Sequence, residues 1–209
     1  MSQTERQQRL RLLIKKVNQE RKRQASQIDI LCNDLIGAQR ALVRRLSSVG
    51  FAATFYKSLL GTTDLRELLT RTDELIREAL PGAGVTFFLR QSEGSGVGMF
   101  RARETLSIDD QPLEDYFDPE LTDRICKSNK PCNVADLLSM GLQGNPRELA
   151  NVSLATLPLS DLGRPLGFLL ISRAMPLLLA PEELHKVGLV TCGLAHAIAG
   201  CRLPLHAGH

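Results

Sequence analysis

Through the first part of the chain, apolar side chains return at alternating steps of four and three residues. They fall at Leu10, Ile14 and Val17, then at Ile28, Leu31, Leu35, Ala38 and Leu42. That spacing keeps one seam of a helix turned toward a partner helix. From Leu10 to Val49 there is no proline, and Gly37 is the only glycine. Arg21 and Gln24 occupy the same seam between the two apolar blocks, a polar interruption that weakens a coiled coil but can fix its register. Forty such residues would extend about 60 Å, further than one small domain covers. An isolated helix of this length and charge frays, so the pattern predicts a homodimer. After Ile28 the apolar face also takes in Ile30, Ile36, Val43 and Leu46, the width expected of a helix in a bundle. Gly50 is expected to end or bend the arm.

The pattern then changes. A second helical stretch runs from Phe51 to Leu80, with a break at Gly61-Thr62-Thr63-Asp64. Thr63 or Asp64 is placed to cap its later half, and Pro81-Gly82 stops it. Val85 to Arg90 is short and rich in strand-formers, and Met99 to Thr105 alternates apolar and polar. The two read as a hairpin around the Gly- and Ser-rich turn from Gln91 to Gly98. A helix is expected over Pro112–Lys127, a short strand at Cys132–Val134, and loop with one further helix over Asp136–Asn151. Two strands, Val152–Leu159 and Pro165–Ser172, flank the turn Ser160–Arg164. A closing helix follows Pro181 and reaches about Arg202. This divides the chain into an arm at 1–50, a domain at 51–203 and a tail at 204–209.

The order of elements from Phe55 to Cys201 resembles the GAF family of sensory domains, which are related to PAS domains. Its strongest piece is Ser153-Leu-Ala-Thr-Leu-Pro-Leu159, a glycine turn, then Pro165-Leu-Gly-Phe-Leu-Leu-Ile171. This is similar to the family's central pairing of an apolar strand ending in Pro-Leu with a Gly-hydrophobic strand. Pro181-Glu-Glu-Leu184 resembles the opening of its last helix. Ser128 to Asp136 resembles its short strand followed by an aspartate. The resemblance implies an α+β fold: a GAF/PAS-like antiparallel sheet of five or six strands with helices on both faces, plus the long N-terminal helix. It further implies a small-molecule effector held between the sheet and the segments Pro112–Lys127 and Asp136–Asn151. The candidate lining residues are Phe100, Arg101, Arg103, Phe117, Asp136 and Thr156. The alternative is that large side chains fill this space and leave a packed interaction scaffold.

Charge separates the two parts. Residues 1–48 hold 11 Lys or Arg against 4 Asp or Glu, and subtraction from the chain totals of 26 and 23 leaves 15 basic and 19 acidic residues elsewhere. The basic cluster from Arg6 to Arg23 lacks interleaved aromatics and a recognition-helix turn, so a solvated helix surface is favoured over a nucleic-acid or membrane contact. No run approaches the ~20 apolar residues of a membrane span. The N-terminus has no apolar core of a secretory signal, and the expected address is the cytoplasm.

Candidate chemistry is sparse. The five cysteines, Cys32, Cys126, Cys132, Cys192 and Cys201, form no CxxC pair and no ligand cluster, so reduced thiols and no metal are expected. The cyclic-nucleotide signature Asn-Lys-x-Phe-Asp-Glu of some GAF domains is absent, and no histidine lies near a bilin-type cysteine. His185 and His196 sit on the closing helix and are expected to be ordinary surface histidines, so no cofactor is expected. Gly94 to Gly98 joins two strands rather than opening a helix, which favours a hairpin tip over a phosphate loop. The family also includes free methionine-R-sulfoxide reductases, which use cysteines, and Cys126 and Cys132 are the near pair here. No catalytic residues are assigned. The favoured expectation is a non-catalytic regulatory or scaffold protein with a separate output protein. The alternative is a cysteine-based redox sensor or reductase using Cys126 and Cys132.

Overall fold

The computed structural model describes residues 3–91, 96–103, 106–108 and 111–202. The expected tail at 204–209, His206, His209, and Gly94 and Ser95 of the hairpin tip lie outside these residues. The chain divides into two compact units, Met1–Val49 and Gly50–His209.

The first helix, α1 (Gln3–Leu59), carries the whole heptad pattern and continues through Gly50, where an end or bend was expected. A mid-helix glycine costs only about 1 kcal/mol, and Phe51, Phe55 and Leu59 bury the turns that follow it in the core of the second unit. Helix α2 (Leu65–Ala79) begins at Asp64, whose carboxylate accepts the Glu67 N–H at 3.1 Å.

The sheet has five antiparallel strands in the order β2-β1-β7-β6-β5. They are β1 (Ala83–Arg90), β2 (Val97–Phe100), β5 (Cys132–Asn133), β6 (Val152–Asp161) and β7 (Arg164–Ala174). A separate two-stranded ladder pairs β3 (Ser107–Ile108) with β4 (Gln111–Pro112). The turn between β6 and β7 is Leu162-Gly163, both with positive φ, the conformation that matches the twist of a two-residue hairpin. At Gly167 strand β7 passes so close to β1 that a Cβ would lie 1.9 Å from the Phe88 carbonyl oxygen.

The expected helix over Pro112–Lys127 is divided. Pro112 ends β4, Leu113–Tyr116 form a single 3-10 turn, and α3 (Pro119–Ser128) starts anew. The cause is local: Asp118 caps the Leu121 N–H at 2.7 Å, with Pro119 in the first turn. Between Asp136 and Asn151 the chain has two helical pieces, α4 (Val134–Ser139) and α5 (Pro146–Leu149). The closing helix is also two, α6 (Pro181–Gly188) and α7 (Thr191–Arg202). Pro181–Cys201 is apolar enough for a membrane span by composition, with a mean hydropathy of 1.2. Here its Val187, Val190, Leu194, Ala195 and Ile198 are buried in the protein core.

Alternation along the strands sends side chains to two cores. Val85, Phe87, Leu157, Leu169 and Ile171 meet Phe55, Leu68, Ile76, Leu194 and Ile198 on one face. Phe88, Leu154, Phe168 and Leu170 meet Leu113, Phe117, Leu121, Ile125 and Leu137 on the other. A strand such as β1, buried on both sides, reads as a continuous apolar run.

Candidate functional site

The six candidate lining residues are placed in different surroundings. Phe100 packs on the face covered by α1, α2, α6 and α7, opposite its β1 neighbour Phe87. Phe117 is buried on the other face. There its ring lies 5.4 Å from Phe88 and 6.2 Å from Phe168, while Phe88 and Phe168 stack at 4.7 Å. These three rings occupy the space between β1, β7 and the segment after the 3-10 turn. Thr156 is fully buried, and its hydroxyl has no hydrogen-bond partner. Arg101 is exposed, with its guanidinium 3.9 Å from the carboxylate of buried Glu114. Glu114 accepts a 2.6 Å hydrogen bond from Thr86 Oγ1. Arg103 is exposed.

Asp136 has a different role. It forms a reciprocal cap with Asn133: the Asn133 side chain accepts the Asp136 N–H at 3.0 Å, and Asp136 Oδ2 accepts the Asn133 N–H at 2.9 Å. This box starts α4. It also consumes the Asn133 N–H on an edge strand that Pro131 precedes, so β5 offers little to an incoming strand.

Asp136 lines a half-open cavity of about 460 Å³ at the β5 edge of the sheet. Cys132 and Asn133 share its wall, Ala155 and Leu157 form the floor, and Leu184, His185, Gly188 and Leu189 of α6 form the opposite wall. Sequence reasoning missed the α6 contribution. No local pattern marks it, since about 50 residues separate His185 from Asp136 and only the packing of α6 brings them to one groove. The position of α6 is held by an Arg173–Glu183 pair. Arg173 donates to the two Glu183 carboxylate oxygens at 3.0 and 3.1 Å and to the Leu178 carbonyl at 3.1 Å. Burial pushes the Glu183 carboxyl up, but the Arg173 hydrogen bond and charge and the Ala180 N–H outweigh it. They hold the group below the ordinary glutamate value.

The cysteine pair lies in the second core. Cys126 is buried, and desolvation drives its thiol above the ordinary value although Arg90 acts the other way. Cys132 is buried too, and donates to the Lys130 carbonyl at 3.3 Å. His196 is exposed, with Nδ1 3.1 Å from Asp161. Among the described residues, no group of three or more His, Cys, Asp or Glu side chains is placed to hold a metal.

No protein-family model and no curated protein matches the chain. Solved structures do. The GAF domain of a phosphoenolpyruvate-protein phosphotransferase from Coxiella burnetii aligns over 75% of this chain and 95% of its own, with a TM-score of 0.51 and 18% identity. The globular unit has a GAF-like fold. A methyl-accepting chemotaxis protein, residues 122 to 287, aligns with this GAF-like chain at a TM-score of 0.54 and 16% identity, over 76% of this chain and 99% of its own. Free methionine-R-sulfoxide reductase from Neisseria meningitidis, in complex with its substrate, aligns at a TM-score of 0.51 and 14% identity, over 74% and 90%. The same fold therefore occurs in a domain of a phosphotransferase, in a chemotaxis protein and in a reductase.

Proposed function

We propose that this chain is a non-catalytic, cytoplasmic regulatory or scaffold protein. Its arm pairs with a second copy, and its GAF-like domain binds a small effector, a protein partner, or both. Output passes through that partner. The observation that carries the reading is the seam. Leu10, Ile14, Val17, Ile28, Leu31, Leu35 and Leu42 are each between 53% and 69% exposed along an unbroken helix. A stripe of branched apolar side chains left in water costs the free energy that a second helix recovers by covering it.

The cysteines support the non-catalytic part. Thiol catalysis requires an accessible thiolate of lowered pKa. Cys126 is buried with its pKa raised, and Cys132 is buried as well. A reductase reading would need one of these thiols to be freely exposed, and Cys132, which borders the half-open cavity, is 4% exposed. Light scattering at tens of micromolar tests the assembly: wild type is expected to be a dimer and Leu31→Asp/Leu35→Asp a monomer. Monomeric wild type would remove the basis of the reading.

A further inference from the structure

The cavity between β5 and α6 lies on the α6 side of the sheet, and of the segments that the family resemblance assigns to an effector it meets Asp136, at the start of Asp136–Asn151. We propose that it is a binding site for a small organic cation, an ammonium carried on an apolar body of one or two rings. The proposal rests on the effector-binding part of the reading above, and adds to it the site and the ligand class.

Three observations converge. The volume, about 460 Å³, lies within the range of roughly 300–1,000 Å³ that small-molecule sites occupy. The surface is largely apolar: Ala155 and Leu157 are buried side chains that form the floor, and Leu184 and Leu189 line the wall, Leu189 remaining 44% exposed. The polar groups sit at the rim. Asp136 is the one lining side chain with a permanent charge, and His185 faces it from α6. The Asn133–Asp136 box fixes the aspartate by one oxygen, Oδ2, which leaves Oδ1 available to accept from a ligand. The His185 ring adds a polar group to the same rim. An apolar trough with a fixed carboxylate at its edge matches an amphipathic cation by charge. It repels an anion of the same shape.

The chain contains no tryptophan, so indole emission in a mixture comes from an added probe alone. Fluorescence anisotropy of tryptamine titrated with the full-length protein is expected to rise and saturate. Tryptophol, its uncharged analogue, is expected to bind about fivefold more weakly, the scale of one exposed ion pair, and indole-3-propionate more weakly again. Asp136→Asn keeps an acceptor for the Asn133 N–H but removes the charge, and is expected to make tryptamine and tryptophol bind alike. Gly188 has open space where a Cβ would lie, so Gly188→Leu fills the groove from its wall and is expected to abolish binding of all three. No saturable rise at millimolar protein, tryptamine binding unchanged in Asp136→Asn, or binding that survives Gly188→Leu would each overturn the proposal. Should Gly188→Leu fail to fold, Asp136→Asn alone decides. The Leu31→Asp/Leu35→Asp variant is expected to bind tryptamine as wild type does, so a failure of dimerisation and a failure of this site are read separately.

Discussion

Leu31 and Leu35 on the arm and Leu68 and Leu69 on α2 belong to the same kind of pattern, apolar residues spaced to form one face of a helix. The first two are 67% and 69% exposed, and the second two are 0% and 2% exposed. Periodicity gives both helices an apolar face. It does not say whether the covering surface comes from the same chain. In the globular unit the sheet supplies that surface, so the stripe on α2 is satisfied within one molecule. In the arm the face stays open along its length, and under the proposed reading a second copy would cover it. One region buries its apolar face within the chain, and the other leaves it exposed.

The sharpest way to break this contrast is charge in the seam. Leu31→Asp/Leu35→Asp would put four carboxylates into the proposed paired interface and is expected to cost several kcal/mol of association, enough to give monomers. Thermal unfolding of the GAF-like unit should be unchanged. Loss of both together would mean that the two regions do not stand apart.

The reverse experiment is Gly167→Ala. The new Cβ would overlap the Phe88 carbonyl, and at φ +150 the backbone is strained for any other residue. A destabilisation of about 3 kcal/mol or more is expected in denaturant titration, with the arm still pairing at low denaturant. A neutral result would mean that β1 and β7 do not approach so closely.

Glu183 sharpens the picture within the globular unit. Its folded pKa is depressed, so its contribution to stability is complete above the ordinary glutamate range. That contribution is lost as pH falls through the folded value. Glu183→Gln is expected to cost about 2 kcal/mol at neutral pH, the scale of a charged hydrogen bond, and to flatten the acid limb of the stability–pH curve. An unchanged acid limb would remove the latch from the account of α6.

The smallest expected effect is a gain. Gly50 lies mid-helix with nothing within 4 Å of a Cβ. Gly50→Ala is expected to raise stability by about 0.5–1 kcal/mol, seen as a higher midpoint in circular dichroism. A loss would show that the position is not helical.

Much of the fold was legible from the sequence because its signals are local. The heptad steps, the Asp64 cap, the β6–β7 hairpin around Leu162-Gly163 and the strand at Cys132 each depend on neighbours within a few residues. The division of Pro112–Lys127 was less visible. Helical periodicity persists across it, and Asp118-Pro119 reads equally well as an internal turn or as a new start. Gly50 misled in the opposite direction: the helix runs through it, and Phe51 and Phe55 beyond it pack in the core. The six candidate residues were chosen on one presumed surface. Phe100, at the end of β2, packs on one face of the sheet, Phe117, just after the 3-10 turn, packs on the other, and of the six Asp136 lines the cavity.

The sequence by itself determined the long helix with its apolar seam, the charge difference between arm and domain, and the run of strands and helices that makes a GAF-like fold, because these follow from spacing and backbone preference along one stretch of chain. The tertiary structure decided three further things: that Phe88, Phe117 and Phe168 gather inside one face, that Cys126 and Cys132 are buried, and that a half-open cavity lies between Asp136 and α6. Each depends on residues far apart in the chain meeting at a distance of a few ångströms, and packing between elements sets such distances where no local pattern records them.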